Sequence, residues 1–340
     1  MAISEAQGER IRAFERKVLP KYPYWYGMKE ALYKSVGLPP KQAASCHLQH
    51  GAVMMFHTQE PDHLTLNTPY PVIFLDNEEQ VEFCKNYKAK PITKPMHIIG
   101  SIFPRYRRSQ NIVQRPDAKG SLIFISHSTP VTKLNSNWKK LIEEYRQLPE
   151  QYHPLTFSIY YRDYLLGAHE TFIEEGFDVV TAGHISDPRF VDNLYDTMSQ
   201  FRYVAGNDIG SNLYYAVEMG IPFFLHGEEG KYEVTNYDAS LKKSNKEVFK
   251  QSDYGRLEQI FRLFRPTAEV LEAGVEITPE QREFVLKMTG YHVALSDEEV
   301  KAIIQHTKWG FYAKEWLLSP LKFPLKLYRQ LKVRMKKEIH

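Results

Sequence analysis

Short apolar runs alternate with amphipathic stretches between residues 120 and 227, and this alternation is the clearest pattern in the chain. The apolar runs predict five buried strands, and the stretches between them predict four helices. The predicted strands are Ser121–Ser126, Leu155–Tyr161, Phe177–Ala182, Phe201–Ala205 and Ile221–Leu225, and the predicted helices are Asn135–Gln147, Ala168–Glu175, Pro188–Gln200 and Asn212–Met219. Strands separated by single helices and short loops predict a parallel, doubly wound α/β sheet.

The stretch Phe201–Gly227 shows this repeat most completely. A buried strand is followed by a turn rich in Gly and Asn, and then by the helix Asn212–Met219, which Gly220 ends. Ser211 or Asn212 is expected to cap this helix, because each carries a side-chain oxygen for the free N–H groups of the first turn. The turn matches neither the dinucleotide fingerprint nor the P-loop, so it predicts anion binding without either of those two nucleotide motifs.

The first hundred residues repeat the alternation less regularly. Strands are predicted at Ala43–Met55, Tyr70–Asn77 and Met96–Ile99, with a helix over Glu78–Tyr87, and the polar residues 104–119 are expected to connect two domains. Past residue 240 the pattern is helical, over Arg256–Phe264, Pro279–Thr289 and Asp297–Thr307. We therefore expect an α/β domain over 1–115, a second over 120–255, and C-terminal helices over 256–340.

Composition and charge narrow the class of protein. With 43% hydrophobic and 25% charged residues in 340, the chain is expected to fold into two globular domains. Cys46 and Cys84 form no metal-ligand spacing, and the N-terminus carries no apolar signal segment, so a cytoplasmic protein is expected. Residues 314–340 hold eight Lys or Arg against two Glu, which leaves the rest slightly acidic. The basic charge therefore belongs to the tail and does not indicate a general nucleic-acid surface.

Polar residues follow every strand of the predicted second sheet. Because open α/β sheets bind ligands at the carboxyl ends of their strands, these residues are the candidate ligand set. They are His127, Ser128, Thr129, Arg162, Asp163, Gly183, His184, Asn207, Asp208, Gly210, Ser211 and Asn212. Hydroxyls, imidazoles, amides and a guanidinium suit a phosphate and a sugar better than an apolar ligand.

The run AVEMGIPFF resembles the "E-A-x-x-x-G-x-P" element of GT-B nucleotide-sugar glycosyltransferases, with Glu218, Gly220 and Pro222 at the matching positions. KGSLIFISHST, YYRD and TAGH look like segments of bacterial proteins from capsule and surface-polysaccharide loci. In the first half, His50-Gly51 resembles the His-Gly element of capsule and teichoic-acid polymerising transferases. Gly100-Ser101 and Arg105 stand where those enzymes carry Gly-x-Pro-Arg, although the Pro is missing here.

This resemblance implies a GT-B-like fold, in which two Rossmann-like domains with parallel sheets face a cleft. It implies a glycosyltransferase of surface-polysaccharide biosynthesis that moves a sugar from a nucleotide-sugar donor to a glycan or lipid-linked acceptor. By resemblance, Glu218 would hold the donor and His50 would be the base, although a structural His beside a glycine turn is an equal reading. No cofactor or metal is expected, since Asp76 is not part of an Asp-x-Asp pair.

Two other functions stay open at this stage. A nucleotide-sugar 2-epimerase shares the two-domain fold but needs a defined pair of carboxylates, which the sequence does not show. A non-catalytic glycan- or nucleotide-binding protein on a degenerate scaffold would fit the short first half. Both would keep the carboxyl edge of the second sheet as the ligand site.

The tail predicts a further partner. Leu325, Tyr328, Leu331 and Met335 recur at helical spacing among basic residues. A basic amphipathic helix over 324–337 is typical of peripheral binding to an anionic membrane surface. Packing of its apolar stripe back on the two domains is the alternative.

Overall fold

The computed structural model describes residues 3–17, 23–49, 65, 67–87, 92–129, 132–234, 254–308 and 310–311. Its strands are β1 (His47–Leu48), β2 (Ile73–Leu75), β3 (Met96–Ile98), β4 (Ser121–Phe124), β5 (Thr132–Asn135), β6 (Leu155–Ser158), β7 (Asp178–Val180), β8 (Tyr203–Gly206), β9 (Phe223–Leu225) and β10 (Lys231–Val234). Its helices are α1 (Glu5–Glu15), α2 (Met28–Ser35), α3 (Glu78–Asn86), α4 (Ile102–Ser109), α5 (Trp138–Arg146), α6 (Tyr161–Leu165), α7 (Ala168–Glu174), α8 (Phe190–Met198), α9 (Asn212–Met219), α10 (Tyr254–Phe264), α11 (Ala268–Ala273), α12 (Pro279–Thr289) and α13 (residues 297–308).

The strands form two parallel sheets and one antiparallel ribbon. The first sheet has the order β1-β2-β3, and the second has the order β7-β6-β4-β8-β9. All neighbours within each sheet run parallel, with Ile123 of β4 opposite both Phe157 and Ala205. The α/β class, the parallel sheets and the C-terminal helices expected from the sequence are confirmed.

The order of the second sheet creates a switch point. The chain starts in the middle with β4, moves outward through β6 and β7, and returns to the other side of β4 with β8 and β9. The loops after β4 and β8 therefore diverge from adjacent strands, which leaves a crevice where such sheets bind ligands.

A third sheet-like element was not predicted. β5 pairs antiparallel with β10, so that Lys231 lies opposite Asn135. We call this pair the ribbon. The predicted helix Asn135–Gln147 is therefore wrong over its first three residues, because Asn135 belongs to β5 and Asn137 is the cap of α5.

Residues 104–119 also differ from expectation. Their first part lies in α4, so the prediction of a connection is wrong for residues 104–109. Pro104 is compatible with the helix because it lies in the first turn, where a backbone N–H has no intrahelical partner. The predicted strand Ala43–Met55 is described only to residue 49, within which β1 is formed by His47–Leu48.

The C-terminal helices pack on the first sheet. The amide Nδ2 of Asn77 donates to the Met288 carbonyl at 2.8 Å, and Leu295 N–H donates to the Ile98 carbonyl at 2.9 Å. Gly290 ends α12 with a φ of +70°, and a Cβ there would lie 1.8 Å from the Asp76 carbonyl oxygen. Only glycine fits this contact.

One apolar core joins the two sheets. It includes Leu32, Phe74, Val204, Leu213 and Ile260, all buried. A second cluster, which includes Ile123, Phe157 and Phe224, covers the other face of the second sheet. The predicted domain boundaries stay a prediction, although the shared core means that the two α/β units pack directly on each other.

None of the helices in these described ranges combines the length and the hydropathy that a bilayer crossing requires. The predicted amphipathic segment 324–337 lies outside the described residues, as do His50 and Gly51.

Candidate active site at the carboxyl edge of the second sheet

Asn207 holds the switch point together. Its side-chain Oδ1 accepts a hydrogen bond from Ser126 N–H at 2.7 Å, and its Nδ2 donates to the Glu228 carbonyl at 2.9 Å. The side chain is buried, and it thereby joins the loops after β4, β8 and β9. In this structure Asn207 orders the candidate site through both ends of its amide.

Ser128 and Asp163 connect the next pair of loops. Ser128 N–H donates to Asp163 Oδ2 at 3.0 Å, and Ser128 Oγ accepts from Leu134 N–H at 3.2 Å. Burial raises the pKa of Asp163, although the hydrogen bonds from Ser128 act in the opposite direction. Both side chains are buried, and they tie the loop after β4 to α6 and to the ribbon.

The start of α9 is the most open part of the switch point. Ser211 occupies the N-cap position, but its backbone is helical and its side chain makes no capping bond, so the predicted side-chain cap is wrong. Asn212 lies inside the helix, and its buried Nδ2 has no hydrogen-bond partner in the part of the chain that the structure describes. Its Oδ1 lies 2.3 Å from the position that a Cβ on Gly210 would take, so a larger residue there would displace the Asn212 side chain. The N–H groups of Leu213 and Tyr214 donate to the Gly210 and Ser211 carbonyls, at 3.2 and 3.1 Å, so the donor that an anion could satisfy here is Nδ2 of Asn212.

The candidates His127, Thr129, Arg162 and Asp208, which follow β4, β6 and β8 at the same edge of the sheet, are half-buried. The His127 ring lies 4.2 Å from the Tyr160 ring, between centroids, and Asp208 Oδ1 accepts from Ile209 N–H at 2.8 Å. Within the described residues, the Arg162 guanidinium makes no hydrogen bond or ion pair. An unpaired guanidinium at this edge of the sheet is suited to bind a phosphate.

The other side of the edge is occupied by α1. Arg10 pairs with the buried carboxylate of Asp187 through Nε and Nη2, at 2.5 and 2.7 Å. The Gln7 amide donates to the Thr181 carbonyl at 2.7 Å. The sequence places α1 within the predicted first domain, over 1–115, and shows no local signal for this contact with the second sheet.

His184 is part of the same contact. Its Nδ1 accepts from Ser186 N–H at 3.0 Å, so Nε2 carries the proton and donates to Glu15 at 2.9 Å. Gly183 has a φ of +105° and lines a cavity of about 230 Å³ together with Arg10 and Arg189. The structure therefore places Gly183 and His184 beneath α1, apart from the open start of α9, and their predicted donor role stays untested.

Glu218 lies at the end of α9, where it contacts the first unit. Its carboxylate accepts hydrogen bonds from Arg107 at 2.7 and 2.8 Å and from Arg108 at 2.6 Å. Only 4% of the side chain is exposed. These ion pairs join α9 to α4, and binding of a donor sugar by Glu218 stays a prediction.

Tyr26, from the first α/β unit (residues before β4), contacts residues at the carboxyl edge of the second sheet. Its hydroxyl lies 2.9 Å from the Tyr160 hydroxyl, and its N–H donates to the Ile185 carbonyl. Its φ of +55° is rare for an aromatic residue and costs conformational energy, which the surrounding contacts must offset. Burial raises the pKa of Tyr26 to about 12, so its hydroxyl is protonated at neutral pH.

Asp76 is a buried carboxyl at the first sheet, to which the sequence assigned no functional role. It directly follows β2 and accepts a hydrogen bond from Ser101 Oγ at 2.8 Å. Burial raises its pKa to about 7, while the bonds from Ser101 and Gln80 lower it. The sequence shows only an isolated Asp after a strand, and nothing in it reports the burial that makes this carboxyl titrate near neutrality.

No group of three or more His, Cys, Asp or Glu side chains in the described ranges could hold a metal ion. Cys46 and Cys84 are both buried free thiols.

Comparison with known proteins gives distant structural neighbours. No family model and no curated protein sequence matches the chain. A Staphylococcus aureus MnaA–UDP structure is 9% identical with a TM-score of 0.38, over 85% of this chain and 81% of that one. A point mutant of S. aureus TarM, in complex with fondaparinux, alpha-GlcNAc-glycerol and UDP, is 14% identical with a TM-score of 0.32, over 82% of this chain and 52% of that one. Similarities of this degree carry no argument about activity, so the proposal below rests on this chain's own residues.

Proposed function

We propose that this chain is a glycosyltransferase that moves a sugar from a nucleotide-sugar donor to a glycan or lipid-linked acceptor of a surface polysaccharide. The observation that carries the proposal is the start of α9 at the switch point. It combines an N-terminus without a side-chain cap, a buried unpaired amide on Asn212 and the nearby half-buried loops of the sheet edge.

The chemistry of glycosyl transfer asks for stabilisation of a departing phosphate. A helix N-terminus carries roughly half a positive charge, and a guanidinium adds a full one. The start of α9 and Arg162 would supply both without a metal ion. Asn207, Ser128 and Asp163 support this site by fixing the loops, and they need not touch the donor.

The acceptor hydroxyl also needs a base. We assign this role to His50, which comes two positions after β1 in the sequence, because an ordinary imidazole accepts a proton near neutral pH. Asp76 follows β2, the strand that pairs with β1. It is buried, so we assign it a structural role and test that role separately below.

Turnover with a panel of UDP-, GDP-, CMP- and CDP-sugars tests the proposal. Release of the nucleotide with transfer of the sugar, unaffected by a chelator, supports a metal-independent transferase. Inversion at C2 of an unreleased sugar would instead favour an epimerase, and binding without turnover would favour a non-catalytic protein. The variant His50→Gln should lose transfer while it keeps donor affinity.

Residues 324–337 extend the proposal to a membrane surface. Each Lys or Arg near an anionic bilayer contributes about 1 kcal/mol, so this segment suffices for reversible attachment. The full-length protein should sediment with vesicles that contain phosphatidylserine and be released at high salt. Deletion of 324–340 should abolish sedimentation without loss of turnover on a soluble acceptor. Equal sedimentation of the deleted protein would contradict this part.

A further inference from the structure

The ribbon contacts the loops that form the switch point. Its strands continue the loops that leave β4 and β9, and Gly230 precedes β10. A Cβ on Gly230 would lie 2.6 Å from Ser126 Oγ and 2.9 Å from a Leu134 methyl group. The ribbon therefore contacts the same loop that Asn207 binds, and the space beside it shares Asn207 with the switch point.

Such a space exists between the ribbon and the start of α5. It is a cavity of about 200 Å³. Its lining is mostly amide, hydroxyl and charged groups with one apolar side chain. The lining residues are Asn135, Ser136, Asn137, Leu141, Asn207, Glu228, Glu229 and Lys231. We call it the ribbon cavity.

Several of its polar groups are available to a ligand. No side-chain hydrogen bond joins Asn135 or Ser136 to another residue in the described ranges. Asn137 uses its Oδ1 to accept from Lys140 N–H at 3.1 Å, which leaves its Nδ2 as a donor. Amides and hydroxyls at close spacing offer both donors and acceptors, as the adjacent hydroxyls of a sugar ring require.

The charges of the ribbon cavity are balanced. Glu228 accepts from Lys140 Nζ at 2.7 Å and from Lys231 Nζ at 2.6 Å. These two lysines lower the pKa of Glu228 to about 2, so its carboxylate is ionised and accepts hydrogen bonds at neutral pH. Glu229 lies 3.6 Å from Arg265. Because the charged lining is two Glu and one Lys, and each carboxylate already has a basic partner, the cavity favours a neutral polar ligand over a phosphate.

We propose that the ribbon cavity binds a pyranose ring, whose hydroxyls pair with Asn135, Ser136 and Glu228 while its apolar face lies on Leu141. The inference rests on the proposed function, because the donor phosphates would then lie at the adjoining switch point. The ring comes from the donor's own sugar or from the acceptor glycan, and both sources present the same hydroxyl chemistry.

Calorimetry with the full chain separates the two sources. The test variant is Asn135→Ala/Ser136→Ala, and the control is Lys133→Ala, an exposed substitution on β5 outside the cavity lining. If the ring is the donor's, affinity for the nucleotide sugar falls about tenfold while affinity for the nucleoside diphosphate is unchanged. If it is the acceptor's, donor affinity is unchanged and the KM for the acceptor rises about tenfold. Unchanged affinities and KM in the double variant would overturn the proposal.

A second measurement keeps this test independent of the transferase. Saturation-transfer NMR with free hexoses and N-acetylhexosamines should show ring protons in contact with the protein, and the signal should vanish in the double variant but not in Lys133→Ala. A protein that turns over no nucleotide sugar yet gives this signal refutes the proposed function and supports the cavity. Turnover combined with signals that are identical in wild type and double variant refutes the cavity and leaves the proposed function in place.

Discussion

The two sides of the carboxyl edge of the second sheet carry similar residues but use them differently. On the side of β6 and β7, the buried Asp187 and His184 pair with Arg10 and Glu15 of α1. On the side of β4, β8 and β9, Asn207 joins the loops to one another, and Nδ2 of Asn212 at the start of α9 has no hydrogen-bond partner among the described residues. The side of β6 and β7 is therefore covered by α1, which we call the cover. On the other side the loops are joined by hydrogen bonds among themselves.

This difference shows what a polar residue at the end of a strand can indicate. Its position places it on the ligand edge, but whether it meets a ligand depends on what else packs there. A buried polar group must find a partner, and on the covered side α1 supplies it. The open side, at the start of α9, is therefore the better candidate site. Each substitution below tests the difference between this side and the side that α1 covers.

The largest effect is expected at Glu218, which the sequence assigned to the donor and the structure pairs with Arg107 and Arg108. Glu218→Ala leaves the mostly buried Arg107 unpaired, and breaking such a pair costs about 3–5 kcal/mol. Denaturant unfolding should show this loss. The control Glu143→Ala removes an exposed pair with Arg146 and should change stability by less than about 0.5 kcal/mol. Unchanged stability in Glu218→Ala together with lost donor binding would restore the donor role.

Asp76 tests whether a polar residue at the edge of the first sheet is likewise structural because another segment buries it. Its raised pKa means that the protonated carboxyl stabilises the folded protein fully below about pH 4, and that this stability is lost as pH rises through about 7. At pH 8, Asp76→Asn should therefore have a higher free energy of unfolding than wild type, by up to about 2–4 kcal/mol. This difference should shrink towards pH 4. Asp117→Asn, at an exposed site, should show no such pH dependence. A pH-independent difference for Asp76→Asn would contradict the assignment.

Arg10→Ala should loosen the cover itself. It leaves the carboxylate of Asp187 buried without its cation, at a cost of about 2 kcal/mol, reduced because Arg10 is partly exposed. Burial alone would raise the pKa of Asp187, but the bonds and charges of Arg10 and Arg189 lower it overall. The stability that Arg10 contributes is thus present above about pH 4 and lost as pH falls further.

Hydrogen exchange gives the local readout for this variant. The amides of α1 should exchange faster in Arg10→Ala, whereas Arg12→Ala, which removes only a 3.3 Å bond to the Tyr164 hydroxyl, should leave them near wild type. Equal exchange in both variants would mean that the pair with Asp187 does not hold the cover.

Much of the second unit could be predicted from the sequence. The helix Asn212–Met219 and the helix Pro279–Thr289 match the structure residue for residue, because Gly220 and Gly290 mark their ends clearly. The parallel arrangement of the sheet follows from the alternation of short strands and helices. Each of these features depends on residues that are close together in the sequence, so the sequence alone is enough to predict it.

The rest depends on contacts between distant segments. The ribbon joins residues 132–135 to residues 231–234, and no local pattern states that they pair. The cover of α1 depends on Arg10 meeting a carboxylate 177 positions away. Part of the cover over Asp76 comes from the end of α12, far along the chain, where Gly290 approaches its carbonyl. The sequence therefore predicted that the candidate residues lie at the ends of strands. It could not show which of them form hydrogen bonds or ion pairs with distant segments of the chain.

The smallest effects, and the most direct test, come from binding measured on both sides of the edge. The account predicts that Ser211→Ala and Asn212→Ala each weaken nucleotide-sugar affinity by about 1 kcal/mol in calorimetry. Glu15→Gln, which removes the charge facing His184 on the covered side, should leave that affinity unchanged. Loss of affinity in Glu15→Gln with wild-type affinity in Ser211→Ala and Asn212→Ala would contradict the central claim and place the donor on the side of β6 and β7.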